Sequence, residues 1–258
     1  MTKNATNSAP PCAQQRDRRA FLKAGGGVLL LGLGGCSATQ LVQPFASETA
    51  PKNPASEDFN SLVDTDRAYY ASMYAERPEE MFPLPAIPFE RMNPIYYRRL
   101  VDDPTGERAG VIVVDVAHHF LYLTRGEGKA IRYGVGLGRA GFEWAGRGVI
   151  QYKRVWPRWT PPNEMVARQP ELEQYSSANG GMEPGLNNPL GARALYIFQD
   201  GRDTLYRIHG SPEWWTIGKS VSSGCVRMLN QDVIDLYNRT PNGTPILVTR
   251  LGTAPESS

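Results

Sequence analysis

The chain of 258 residues carries 28 Lys plus Arg against 26 Asp plus Glu, a formal net charge of +2, with 41% hydrophobic and 21% charged positions. That balance excludes a disordered tail, and it lacks the concentrated basic excess that a nucleic-acid partner requires. With 26 glycines and 21 prolines, the chain is expected to form one or two turn-rich domains and not a long helical bundle.

The first 35 residues hold +4 of the charge, so the part from Cys36 onward carries −2. Arg18-Arg19-Ala20-Phe21-Leu22-Lys23 precedes Ala24 to Gly35, a Gly- and Leu-rich apolar run. That run is well short of the ~20 residues a membrane-spanning helix needs, so residues 1–35 read as a signal peptide. The paired arginines resemble the twin-arginine export signal, with Asp17 where that pattern more often has Ser or Thr. Leu33-Gly34-Gly35-Cys36 resembles a lipobox, which implies lipidation of Cys36, a membrane anchor and a periplasmic location; cleavage after Ala38 or Ala46 is the alternative.

Cysteine usage follows from this. Cys12 lies in the discarded stretch and Cys36 would carry lipid, which leaves Cys225 as the one thiol of the exported body. No intrachain disulfide can form there, and a lone cysteine with a histidine nearby is a candidate nucleophile.

Residues 36–60 have the Ser, Ala, Pro, Asn and Thr composition of a flexible tether. Residues 61–108 are expected to hold one helix, Ser61 to Glu76, and then an extended lead-in broken by Pro78, Pro83, Pro85, Pro88 and Pro94. After Gly110 strands are expected at Val111–Val116, Phe120–Thr124, Ala130–Val135, Val149–Val155, Ala194–Phe198, Leu205–His209 and Ile246–Thr249. One clear helix is expected at Gln231–Tyr237, entered through Asn230 as N-cap, with Asp232 complementing the helix dipole. The predicted fold is mainly β, a sandwich or partly closed barrel with one or two short helices, ending in a tail over 251–258.

The segment with chemistry in it is Tyr206-Arg207-Ile208-His209-Gly210, followed by a Gly- and Ser-bearing loop and then Ser222-Ser223-Gly224-Cys225-Val226-Arg227. His209 closes a strand, and the loop can return the Cys225 thiol to the imidazole. A thiolate attacks carbonyls well, and a nearby histidine or cation is expected to lower the thiol pKa so that the anion exists near neutral pH. Gly224 lets the backbone turn beside the nucleophile. The amide N–H groups of residues 223 to 225 are candidate oxyanion donors, worth about 3 kcal/mol each. Arg227 is a candidate for holding a substrate carboxylate or orienting the loop. An arbitrary Cys and His more often pack as inert core groups, so the flanking residues have to decide.

Those flanks resemble the L,D-transpeptidase (YkuD-type) catalytic domain of bacterial cell-wall enzymes. The resemblance covers roughly Ala109 to Arg250, taken as the catalytic domain. It includes Ile112-Val113-Val114-Asp115, Leu121-Tyr122-Leu123, Trp159-Thr160-Pro161-Pro162, Asn188-Pro189-Leu190-Gly191, the His-Gly and Gly-Cys elements, and Gly243-Thr244-Pro245. Two positions depart: Ser223 stands where the family often has His, and Trp144-Ala145-Gly146 where it often has Thr-Pro-x-Gly.

The resemblance implies Cys225 as acyl-forming nucleophile, His209 as its base, the Gly210 carbonyl as the group orienting the imidazole, and Arg227 as a site-shaping or substrate-binding cation. It further implies attack on the L,D peptide bond of a peptidoglycan tetrapeptide stem, release of D-alanine, and acyl transfer to an amine, with no metal or organic cofactor. Transfer to water, an L,D-carboxypeptidase, is one alternative, and a non-catalytic peptidoglycan-binding scaffold is another.

Three further motifs are weaker. Gly136-Leu137-Gly138-Arg139-Ala140-Gly141 matches a dinucleotide loop, but Phe142 to Ile150 cannot start the required helix, so no nucleotide is expected and the glycines read as a bend beside the cleft. His118-His119 reads as a turn pair and not a metal site. Trp156, Trp159, Trp214 and Trp215 stack on glycan or pack internally, and Asn187 and Asn188 bind substrate or hold a turn.

Overall fold

The computed structural model describes residues 64–138, 145–222 and 224–249. The expected signal peptide, Cys36, the tether, Ser223 and the C-terminal tail lie outside the described residues. In chain order the elements are α1 (Asp64–Met73), β1 (Arg99–Asp102), β2 (Ile112–Asp115), β3 (Phe120–Thr124), β4 (Lys129–Gly134), β5 (Leu137–Gly138), β6 (Gly146–Val155), α2 (Asn163–Arg168), β7 (Arg193–Gln199), β8 (Arg202–Ser211), β9 (Ser220–Ser222), β10 (Val226–Leu229), α3 (Asn230–Arg239) and β11 (Thr244–Thr249). None of the described helices is long and apolar enough to cross a membrane.

Nine strands form one sheet in the order β1-β4-β3-β2-β11-β6-β7-β8-β10, and β5 pairs with β9 in a small second sheet. The large sheet has two ends, so it is not a closed barrel; one antiparallel bridge from Gly136, just after β4, to Arg227 in β10 links its two halves. The expected mainly β fold with few helices is what the chain forms. A single sheet curls around one core, because Ile112, Leu121, Tyr133, Leu195, Ile208, Met228 and Val233 all belong to one buried cluster.

β2 and β3 read as unbroken apolar runs because both of their faces are covered. Ile112, Val114, Leu121 and Leu123 face the main core, while Val113, Phe120 and Tyr122 pack under Ile95 and Tyr96 on the other side. The β7–β8 hairpin closes on Asp200-Gly201, both at positive φ (49° and 75°), as a two-residue turn matched to strand twist requires.

Two corrections concern the helices. Asn230 is the first residue of α3 and not its cap: its Oδ1 accepts from the Ala192 N–H (2.9 Å) and its Nδ2 donates to the Ser211 carbonyl (3.3 Å). Burial explains the switch, since those two strand-end groups would otherwise be left unpaired. The lead-in, expected to be extended, is built into the domain. It contains β1 and two 3-10 turns, and Tyr70, Tyr74, Phe89 and Tyr97 join Ile217 and Leu229 in a second aromatic cluster.

Candidate active site

β8 and β10 run parallel in the register Val226 to Ile208, Arg227 to His209, Met228 to Gly210. Ile208, Val226 and Met228 belong to the main core, so alternation puts His209 and Arg227 on the opposite face, side by side. Cys225 immediately precedes Val226, at the mouth of β10, and a backbone hydrogen bond from Arg207 reaches it.

The 16-residue separation is closed by a defined path. After Ser211 the chain makes a 3-10 turn at Trp214–Thr216 and then runs through β9 beside β5 before it enters β10. Leu137 and Gly138 form β5 along this path, with a register shift between them, and residues 139–141 of the motif, over which the bend is also expected, lie outside the described residues. A Cβ on Gly136 would fall 2.7 Å from the Thr216 carbonyl, which accounts for the glycine without any nucleotide.

His209 is 4% exposed, and its Nδ1 donates to the Gly210 carbonyl at 2.6 Å. A carbonyl only accepts, so the proton sits on Nδ1 and Nε2 keeps its lone pair. Gly210 leaves no room for a side chain, because a Cβ would lie 2.2 Å from Asn230 Oδ1. Gly224 has φ +135, and a Cβ there would meet the Tyr206 ring at 3.0 Å, so the turn before Cys225 needs glycine both for its backbone and for space.

The electrostatics overturn one expectation. Burial lowers the His209 pKa to about 4, only partly offset by the Gly210 carbonyl, with Arg227 and Arg207 lowering it further. Burial likewise raises the Cys225 thiol pKa, against a backbone hydrogen bond from Arg207 and the charges of Arg207 and Arg227. The resting pair is therefore a neutral thiol beside a neutral imidazole, and not the preformed anion that the residue types suggest. For the partly exposed Cys225, burial outweighs the pull of the two flanking cations.

Of the other predicted site residues, Arg227 lies within the constellation, and its Nη1 is paired with Glu213 at 2.5 Å. Gly224 is buried beside the thiol, and Ser223 lies outside the described residues. Three neighbours went unnoticed in sequence: Arg207, Asp203 and Glu213. Arg207 was within reach of inspection, since a residue two before His209 in a strand shares its face.

The weaker motifs now have places. His118 and His119 sit in the turn before β3, with Nδ1 of His118 at 2.7 Å from Asp115 and Nε2 of His119 at 3.0 Å from Ser220 Oγ. Among the described residues no three His, Cys, Asp or Glu side chains gather as metal ligands. Asn188 holds a turn, its Nδ2 donating to the carbonyls of Pro157 and Glu183, while Asn187 is exposed. Trp156 is buried and donates to Glu80, Trp159 packs near Tyr175, Trp214 lies under Arg91, and Trp215 is half exposed.

The chain is 31% identical over 151 residues to "Probable L,D-transpeptidase YbiS" of Escherichia coli (strain K12), a match covering 55% of this chain and 45% of that one. It thus spans about half the length of the curated relatives it matches. Among solved structures, a Brucella melitensis protein described as "Probable carnitine operon oxidoreductase" is 42% identical, with 64% of this chain and 96% of that one covered and a TM-score of 0.43. An Enterococcus faecium L,D-transpeptidase is 17% identical, with 55% and 50% covered and a TM-score of 0.41. At those scores neither structure carries an argument about function. The YkuD family model, the L,D-transpeptidase catalytic domain, matches residues 109–248, more than half of the sequence, and to that family the chain belongs.

Proposed function

We propose that the protein is a peptidoglycan L,D-transpeptidase in which Cys225 is the nucleophile and His209 its base. The observation that supports this reading is the pairing of β8 with β10, in which His209 lies opposite Arg227, two residues after Cys225, while the Gly210 carbonyl takes the Nδ1 proton and leaves the Nε2 lone pair to accept one.

In this reading the stem's L,D peptide carbonyl binds against the Gly224–Cys225 turn. As Sγ attacks, its proton passes to Nε2 of His209, and the tetrahedral oxyanion is met by amide N–H groups around Cys225. Collapse expels D-alanine, whose amine takes the proton back from the imidazolium. The thioester left on Cys225 is then attacked by an acceptor amine, with His209 again taking the proton; collapse forms the new amide, breaks the carbon–sulfur bond and returns that proton to Sγ. A neutral ground state suits this sequence, because charge appears only as the carbon–sulfur bond forms. Glu213 holds Arg227 at the edge of the constellation, where the cation faces a substrate carboxylate.

The test is incubation of the purified protein with a tetrapeptide stem, with and without an amine acceptor, read by product mass. Release of D-alanine with a cross-linked product supports transpeptidation. Release with a tripeptide alone assigns an L,D-carboxypeptidase, and binding without any release assigns a scaffold. Cys225→Ala should keep the fold, lose turnover and form no stable adduct with a carbapenem. An exported, lipid-anchored location belongs to the same proposal and rests on Arg18-Arg19 and the Gly35-Cys36 junction. Mass spectrometry of the mature N-terminus tests it, and an unmodified start beyond Cys36 removes the anchor.

A further inference from the structure

Beside Cys225, one row of side chains runs through three strands. Tyr152 of β6 pairs with Tyr196 of β7, which pairs with Arg207 of β8, and the Arg207 backbone in turn donates to Cys225 just before β10. The two tyrosine rings stack at 4.3 Å and 19°, and the Arg207 guanidinium sits 4.4 Å over the Tyr196 ring. Both ends of the fork are taken: Nη1 and Nη2 donate to the two Asp203 oxygens at 2.7 and 2.8 Å, and Nη1 also donates to the Tyr206 carbonyl at 2.9 Å. The side chain is 14% exposed.

A guanidinium fixed on its flat face and along its edge is not free to follow a substrate. What it offers instead is position. We propose that Arg207 is a positioning residue for the Cys225 thiol, placing a fixed positive charge and a backbone donor beside the sulfur as its proton leaves for His209. This rests on Cys225 being the nucleophile, but its readout is the ionisation of the thiol itself, which needs no substrate.

Among the described residues the charged and titratable groups around the sulfur are few. On β8 they are Arg207, its partner Asp203, His209 and Tyr206. On β10 there is Arg227 with Glu213 from the preceding turn, and Tyr196 lies across on β7. Arg227 shares its charge with the half-exposed Glu213, and Arg207 shares its own with Asp203. The two differ in that Arg207 is stacked, doubly tied and also bonded to the thiol through its backbone. Tyr152 and Tyr196 have a role on this account that packing does not require, since neither belongs to the main core.

The test is the pH dependence of iodoacetamide alkylation at Cys225, followed by peptide mass spectrometry so that Cys12 and Cys36 do not contribute. Arg207→Gln keeps a hydrogen bond to Asp203 and loses the charge. Its apparent thiol pKa should rise by about one unit, making alkylation about tenfold slower at a pH below both values. Arg207→Lys restores charge without the fork or the stack and should recover part of that loss. Tyr196→Leu, which frees the guanidinium without removing it, should shift the titration in the same direction by less.

Titration curves for Arg207→Gln that overlay the wild type, with unchanged unfolding temperature, overturn the assignment. If Arg207→Gln does not fold, an unshifted Tyr196→Leu curve overturns it equally. D-alanine release by the wild type is measured in parallel. Its absence undermines the proposed reaction and leaves the thiol titration to be judged separately.

Discussion

Arg227 lies directly opposite His209 in the β8–β10 ladder, and its guanidinium donates to Glu213. The cation nearest the base is thus already partly neutralised, and burial dominates the protonation of the pair. His209 is held neutral down to about pH 4, and the Cys225 thiol is pushed up.

A pH series follows directly. Turnover should hold through the mildly acidic range and fall only as the pH drops through about 4, where His209 gains its proton. Alkylation of the resting thiol should instead keep rising on the alkaline side, since its anion is scarce at neutrality. A thiol already fully reactive with iodoacetamide at pH 7 would falsify the neutral-pair account.

Gly224→Ala should damage the site more than the fold. Its φ of +135 strains any L side chain, and the added Cβ meets the Tyr206 ring at 3.0 Å. A loss of about 1–3 kcal/mol in stability is expected. A fall in kcat well beyond that in thermal stability is the informative result. Equal turnover in the mutant would mean that the turn does not set the thiol's position.

The lead-in should prove inseparable from the catalytic domain. Glu80 takes a two-pronged bond from Arg193 (2.8 and 2.6 Å) and one from Trp156 (2.9 Å), all largely out of water. Glu80→Ala leaves Arg193 buried without its partner and should cost about 3–5 kcal/mol in urea unfolding. Since Arg193 lowers the Glu80 pKa, this contribution is present above the ordinary carboxylate range and is lost as the pH falls.

Asp232 should behave in the opposite sense. It is fully buried in the first turn of α3, with Arg98 Nε at 3.6 Å, and burial raises its pKa to about 7. The folded state then holds a proton that the unfolded chain releases near pH 4. Its contribution is complete below that value and is lost as the pH rises to about 7. Asp232→Asn should therefore gain stability relative to wild type across that window, as measured by urea midpoints at pH 4.5 and 7.5. His209 acts with the reverse sign between about 6.5 and 4, because the unfolded imidazole binds the proton first. The wild-type curve should be flatter than either group alone would make it.

Much of this architecture is legible along the chain. The apolar runs at Ile112–Asp115 and Phe120–Thr124 mark strands because burial on both faces leaves no polar alternation to confuse them. β1 is not visible: Arg99-Leu100-Val101-Asp102 is a short edge strand with only two apolar residues, and it exists because β4 offers an unpaired edge. Asn230 looks like a cap because Asn before a helical run usually is one, and only the approach of Ala192 and Ser211 shows where its bonds go.

Read along the chain alone, the flanks of Cys225 and His209 point to the pair proposed to react, and the strand periods place residues on faces. The environment of that pair comes only from the folded arrangement: the parallel pairing of β8 with β10, the tautomer set by Gly210, the neutral resting state and the clamped Arg207. The reason is that protonation and charge depend on which groups are withdrawn from water together. That is a property of strands distant in sequence, and no local pattern encodes it.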